Sequence, residues 1–161
     1  MSKFPASVLR NPVHFLAFGL GSGLSPRAPG TCGTLVAVPL YLLLSQLPLP
    51  LYLLMLIVTF GVGIWLCDKT SRDLGVHDHG GIVWDEFVGY WITMTVAPAG
   101  WLWLLAGFVL FRVFDILKPF PINWLDRNLK GGLGIMVDDA VAGSLAWFCL
   151  QLLHILLMAP R

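Results

Sequence analysis

The chain has 161 residues, of which 57% are apolar and 12% charged, with a net charge of +1. Its mean hydropathy is +0.80. Soluble domains carry roughly 25% charged residues, so this composition excludes an ordinary soluble domain, and the absence of a basic stripe excludes a nucleic-acid partner. The length suits one domain, 1–161, and the predicted class is an all-α integral membrane bundle.

Residues 1–30 are mixed and end in GLGSGLSPRAPG. Their prolines and glycines predict a loop or re-entrant stretch. Lys3 and Arg10 precede no uninterrupted apolar core, because Pro5, Pro12 and His14 break the segment, so no cleaved signal peptide is expected. The helical core is predicted over 31–158. It opens with an apolar run, Thr31 to Leu44, for which Thr31 or Thr34 is a candidate N-cap. A short uncharged turn with Pro48 and Pro50 leads to a second run, Leu51 to Cys67. Cys32, Cys67 and Cys149 show neither CxxC spacing nor a disulfide framework and read as small hydrophobes.

The first dense polar block, DKTSRDLGVHDHGGIVWDE, covers Asp68 to Glu86 and is predicted to lie outside the lipid core. Two short apolar pieces follow, Phe87 to Val96 and Trp101 to Phe114, separated by Ala97, Pro98, Ala99 and Gly100. Each is short against the roughly 20 residues a bilayer demands. A hairpin is the preferred reading and a single kinked span the alternative. The second polar block runs from Arg112 to Val137, and a final helix is expected from about Val137 to Met158.

Five crossings, some of them short, place all the polar blocks on one side. That side holds nine of the ten Lys and Arg residues and all nine acids, which makes it cytoplasmic.

The acids fall into a pattern. Asp85 and Glu86 open one apolar run, Asp138 and Asp139 another, and Gly89 and Gly143 stand four residues after Asp85 and Asp139. Small residues let helices approach closely in lipid, so the four carboxylates are candidates to converge. Such a cluster repels itself unless protonated or bound to a cation, and oxygen-only ligands favour Mg²⁺, Mn²⁺ or Ca²⁺ over zinc. The competing account is acids placed favourably at helix N-termini, each worth ~0.3–1 kcal/mol. Pattern alone leaves the two evenly matched.

Arg112, Asp115 and Lys118 step by three along one helix side that Pro119 ends. Alone they make an ion-pair ladder; beside a carboxylate cluster they suit a phosphate clamp. His77 and His79 flank Asp78 in HDHGG and are candidate general acids, although a hydrated surface loop is the favoured account of either one alone. GSGLSPRAPGT offers Ser25, Arg27 and glycine amides before a helix start, a setting that binds anions, but it matches neither GxxxxGK[ST] nor GxGxxG. Cys67 to Arg72 is one residue short of the spacing in a cysteine phosphatase loop, and neither an aspartyl-phosphate segment nor a GxSxG elbow occurs.

Taken together, GSGLSPRAPGT, HDHGGIVWDEFVGYW, FRVFDILKPFPI and LDRNLKGGLGIMVDDAVAG resemble the signature segments of the phosphatidylglycerophosphatase A family. The resemblance runs from about Gly19 to Gly143. It implies a bacterial inner-membrane, Mg²⁺-dependent hydrolase that converts phosphatidylglycerophosphate into phosphatidylglycerol. The resemblance does not assign roles, but the chemistry of the residues is consistent with it: Asp85, Glu86, Asp138 and Asp139 are expected to hold one or two Mg²⁺ ions, and Arg112, Lys118, Arg27 and Ser25 to bind phosphate. Asp115 would orient the cations, and His77 or His79 would protonate the leaving group. A cation or lipid transporter using the same acids is the competing class.

Overall fold

A computed structural model of the protein describes residues 7–76 and 79–158. Every regular element among them is helical. α1 (Ser7–Arg10), α2 (Pro12–Ala17) and a 3-10 turn (Ser22–Leu24) precede α3 (Pro29–Leu44), α4 (Leu49–Leu74), α5 (Trp84–Thr93), α6 (Trp101–Leu117), α7 (Ile122–Asn128) and α8 (Gly131–Met158). Two helices, α4 and α8, are long and apolar enough to cross a membrane. α3 and α6, with 16 and 17 residues, are shorter.

The long helices run alternately up and down. α3 is parallel to α5, with Trp91 Nε1 donating to Ala37 O and Tyr41 OH to Met94 O. α5 is parallel to α8, with Thr93 Oγ1 donating to Gly143 O and Trp147 Nε1 to Thr95 O. α6 returns antiparallel to α5: a Cβ on Gly89 would meet Phe111 and one on Gly107 would meet Met94. Residues 87–114 therefore form a hairpin, and the kinked single helix is excluded. The starts of α3, α5 and α8 and the ends of α4 and α6 share one end of the bundle, where the charged residues collect.

α5 is the centre. Phe87, Val88, Tyr90 and Trp91 are each at most 5% exposed and Gly89 is buried, so the helix is enclosed on all sides, as a helix apolar all round must be. Its ten residues span only about 15 Å. The carbonyls at its C-terminal end, which no helical amide can reach, are served by neighbours. Tyr52 OH donates to Trp91 O at 2.6 Å and Tyr41 OH to Met94 O. Trp147 Nε1 donates to Thr95 O, and Gln151 Nε2 to both Thr95 O and Val96 O.

The close packing of α5 on α8 rests on Gly89 and Gly143. A Cβ on Gly143 would lie 3.0 Å from the Gly89 carbonyl carbon, and one on Gly89 would lie 2.9 Å from Asp139 O.

Three boundaries differ from the sequence expectation. The N-terminal stretch is not a plain loop. α1 and α2 form, and His14 Nε2 pairs with Asp73 Oδ2 at 3.0 Å, joining α2 to the end of α4. The first polar block is helical as far as Leu74 because Asp68–Arg72 and Lys69–Asp73 pair at i,i+4, and Gly75 at φ 65° caps it. α8 starts at Gly131, six residues before Val137, since Gly132 N donates to Asp68 Oδ1 on α4 and anchors the first turn there. Neither Thr31 nor Thr34 caps α3. Ala28 does so, with Pro29 just inside the helix, and Thr34 Oγ1 bonds Gly30 O.

Gly143→Val is expected to destabilise the bundle by about 1–3 kcal/mol through overpacking. Thermal unfolding in detergent should show a lowered midpoint, and an unchanged midpoint would contradict the glycine contact.

Candidate active site

At the charged end, a cavity of about 280 Å³ is lined by six carboxylates: Asp85 and Glu86 from α5, Asp115 from α6, Asp126 from α7, and Asp138 and Asp139 from α8. Lys118 and the backbone around Gly80, Ile82 and Gly134 complete much of its wall.

The parallel packing of α5 on α8 brings Asp85 to Asp139, and one carboxylate oxygen each from Asp85, Glu86 and Asp139 lie within 4.8 Å of one another. Asp85 Oδ1, Glu86 Oε2 and Asp139 Oδ2 are buried and have no hydrogen-bond partner among the described residues. Three carboxylates meeting in one cluster, each with a buried oxygen left unpartnered by the described residues, fit a hard divalent cation held through oxygen.

Arg112 reaches the same group from α6. Its Nη1 lies 2.6 Å from Asp115 Oδ2 and 3.7 Å from Glu86 Oε1, with all three side chains under 15% exposed. Thr34 Oγ1 stands 3.5 Å from Arg112 Nη1. Gly30, in the first turn of α3, backs this pair: a Cβ there would meet Glu86 Oε1 and both terminal nitrogens of Arg112. Any side chain at residue 30 would displace the ion pair.

Lys118 does not continue the Arg112–Asp115 face. It is the C-cap of α6, in the left-handed region at φ 42°, just before Pro119. That turn swings its amine to Asp126 Oδ1 and Asp138 Oδ2, each at 2.7 Å. Burial works against its charge, but the hydrogen bonds to Asp126 and Asp138 outweigh this and hold the lysine pKa above its usual value. Asp138 is thereby drawn off the other acids, with its Oδ1 accepting from Asp139 N at 3.0 Å.

The predicted residues thus divide. Asp85, Glu86 and Asp139 cluster; Asp115 holds Arg112; Asp138 faces Lys118. Helix capping does not account for Asp138 and Asp139, which stand two turns inside α8, beyond the reach of its terminal dipole. Asp85 and Glu86 do sit in the first turn of α5. Ser25 Oγ donates to Arg27 O, and the exposed Arg27 does not line the cavity; Gly30 is the part of that loop touching the acids. His79 accepts from Gly81 N through Nδ1 and packs on Phe18, with only its neighbour Gly80 on the cavity wall. His77 lies outside the described residues.

The sequence reading missed Asp126, Gly30 and Thr34. Asp126 carried a signal, for Ile122, Asp126 and Leu129 follow helical spacing and place an acid on the inward stripe of α7. Gly30 and Thr34 carried none, because only the crossing of α3 over α5 and α6 gives them a neighbour.

The family model for phosphatidylglycerophosphatase A matches residues 15–154. Over 139 residues the chain is 53% identical to phosphatidylglycerophosphatase A of Escherichia coli strain K12, covering 86% of this chain and 81% of the relative. It is 52% identical over 140 residues to phosphatidylglycerophosphatase A of Haemophilus influenzae, covering 86% of each chain. No solved structure matches. With the match extending over nearly the whole bundle and the cavity at its charged end, the chain belongs to the phosphatidylglycerophosphatase A family of phosphatases.

Proposed function

We propose that this protein hydrolyses the terminal phosphomonoester of phosphatidylglycerophosphate, giving phosphatidylglycerol and phosphate, at the bacterial inner membrane. Family membership supports the reaction. The observation that carries the site assignment is the clustering of Asp85, Glu86 and Asp139, each with a buried carboxylate oxygen that has no partner among the described residues.

In this reading those three residues hold Mg²⁺. A bound Mg²⁺ would supply neutralisation of the phosphate and a more acidic water. Lys118, at the cavity wall, supplies a cation for phosphate oxygens as a point charge, and Arg112 a planar guanidinium close behind. Asp115 fixes Arg112 through its 2.6 Å contact. In the overall hydrolysis, a water oxygen bonds phosphorus, the ester P–O bond breaks, and a proton passes to the glycerol oxygen. Ser25, Arg27 and His79 have no part in this scheme, since none of them lines the cavity.

Residues 1–161 form one domain in this scheme, with α3, α4, α5, α6 and α8 as the five membrane elements and the cavity on the cytoplasmic side. The acyl chains stay beside the exposed apolar faces of α4 and α8 while the headgroup enters the cavity. A transporter would need polar groups along its length. Among the described residues the charged side chains of α4–α8 gather at one end, and the buried Tyr41, Tyr52 and Trp91, with the half-buried Gln151, are spent on backbone carbonyls.

Asp85→Asn or Asp139→Asn should lower phosphate release from micellar phosphatidylglycerophosphate at least about 100-fold with the protein still folded. EDTA should abolish wild-type release and Mg²⁺ restore it. Near-normal turnover by either variant would sink the assignment.

A cysteine at Ala99, in a background lacking Cys32, Cys67 and Cys149, should react with an impermeant maleimide from the periplasmic side. Labelling only from the cytoplasm would overturn the topology.

A further inference from the structure

The six acids around the cavity divide by whether their oxygens are already engaged. Asp85 Oδ1, Glu86 Oε2 and Asp139 Oδ2 are open. Asp138 has neither oxygen to spare, with Oδ1 on Asp139 N and Oδ2 on Lys118 Nζ. The same ammonium holds Asp126 Oδ1 at 2.7 Å. Lys118 Nζ thus sits between carboxylates from two helices, α7 and α8, as the cation they share.

We infer that Lys118 is a built-in counter-ion which, clamped by Asp126 and Asp138, restricts the centre to one divalent cation, and that removing its ammonium opens a second metal site between Asp126 and Asp138. This rests on the reading that Asp85, Glu86 and Asp139 hold a cation. Paired-metal sites place their ions about 3.5–4 Å apart. Asp138, adjacent to Asp139, is the residue placed to serve both, and Lys118 occupies it. The two oxygens facing Lys118 are at ammonium distance, 2.7 Å, and divalent ions take oxygen at about 2.0–2.6 Å. A small inward movement of Asp126, whose side chain is 40% exposed on the short α7, closes that gap, and the cavity leaves space for water as the remaining ligands. The inference also gives Asp126 a role as a positioning residue that holds Lys118 over the cavity.

The backbone supplies a suitable probe. Lys118 has φ 42°, a conformation glycine adopts freely, so Lys118→Gly deletes the ammonium without strain at that turn. The experiment counts tightly bound Mn²⁺ per chain by electron paramagnetic resonance on the full-length protein in detergent. One Mn²⁺ is expected for wild type, two for Lys118→Gly, and one for Lys118→Gly combined with Asp126→Asn. Asp126→Asn alone should retain one Mn²⁺ and raise KM for the lipid phosphate several-fold more than it lowers kcat, with Asp126→Glu restoring KM. Two Mn²⁺ in wild type, or one in Lys118→Gly, would overturn the inference while leaving the single-cation reading or its paired form intact. No Mn²⁺ in wild type would overturn the metal reading itself and this inference with it.

Discussion

The contact between Gly89 and Gly143 is the constraint on which the rest depends. With no side chain on either helix at the crossing, α5 and α8 approach until backbone meets backbone, and residues one turn earlier are carried to the same point. Those residues are Asp85 and Asp139. Adjacent carboxylates repel, so packing energy from the apolar body of the bundle must hold them together. Burial then deprives them of water, and what remains is a demand for positive charge. Arg112 answers part of it from α6 and Lys118 another part from the turn after α6. In the proposed scheme, the oxygens left unanswered are the ones that would take a cation.

Charge balance also explains why the surrounding helices stop where they do. Lys118 adopts a left-handed conformation that few residues tolerate, and Pro119 prevents α6 from continuing. A helix running one turn further would point the amine along the α6 face, away from α7 and α8. Gly30 works similarly from α3, giving up a side chain so that Glu86 and Arg112 can share the space. The site is therefore assembled from chain ends and missing side chains as much as from functional groups.

Much of this was legible in the sequence. The composition announced an apolar helical bundle, and two of its helices are long and apolar enough to cross a membrane. The uncharged turn at 97–100 announced a hairpin, and the paired acids followed by glycine at four residues announced that Asp85 and Asp139 converge. What could not be read was the partition within the acid pairs. Asp138 and Asp139 are neighbours in sequence, but a helix turns about 100° per residue, so one faces Glu86 and the other Lys118. Which is which depends on the rotation of α8, and no local pattern fixes that. The start of α8 was misplaced for a related reason. Glycines 131, 132 and 134 look like a turn, yet Asp68 on another helix supplies the partner that lets the first turn form. Arg27 drew attention as the cation of its loop, whereas the residue that reaches the acids is the featureless Gly30.

The borrowed partners at the end of α5 bear on how the protein is made. A helix of ten residues cannot enter a bilayer as an independent unit, since it neither reaches across nor satisfies its own last carbonyls. Its bonds come from Tyr41 on α3, Tyr52 on α4, and Trp147 and Gln151 on α8, the last of these synthesised more than fifty residues later. α5 can be completed only when α8 arrives. The segment bearing Asp85 and Glu86 therefore takes its last partners from the C-terminal helix, and the charged end of the bundle is complete only once α8 has packed.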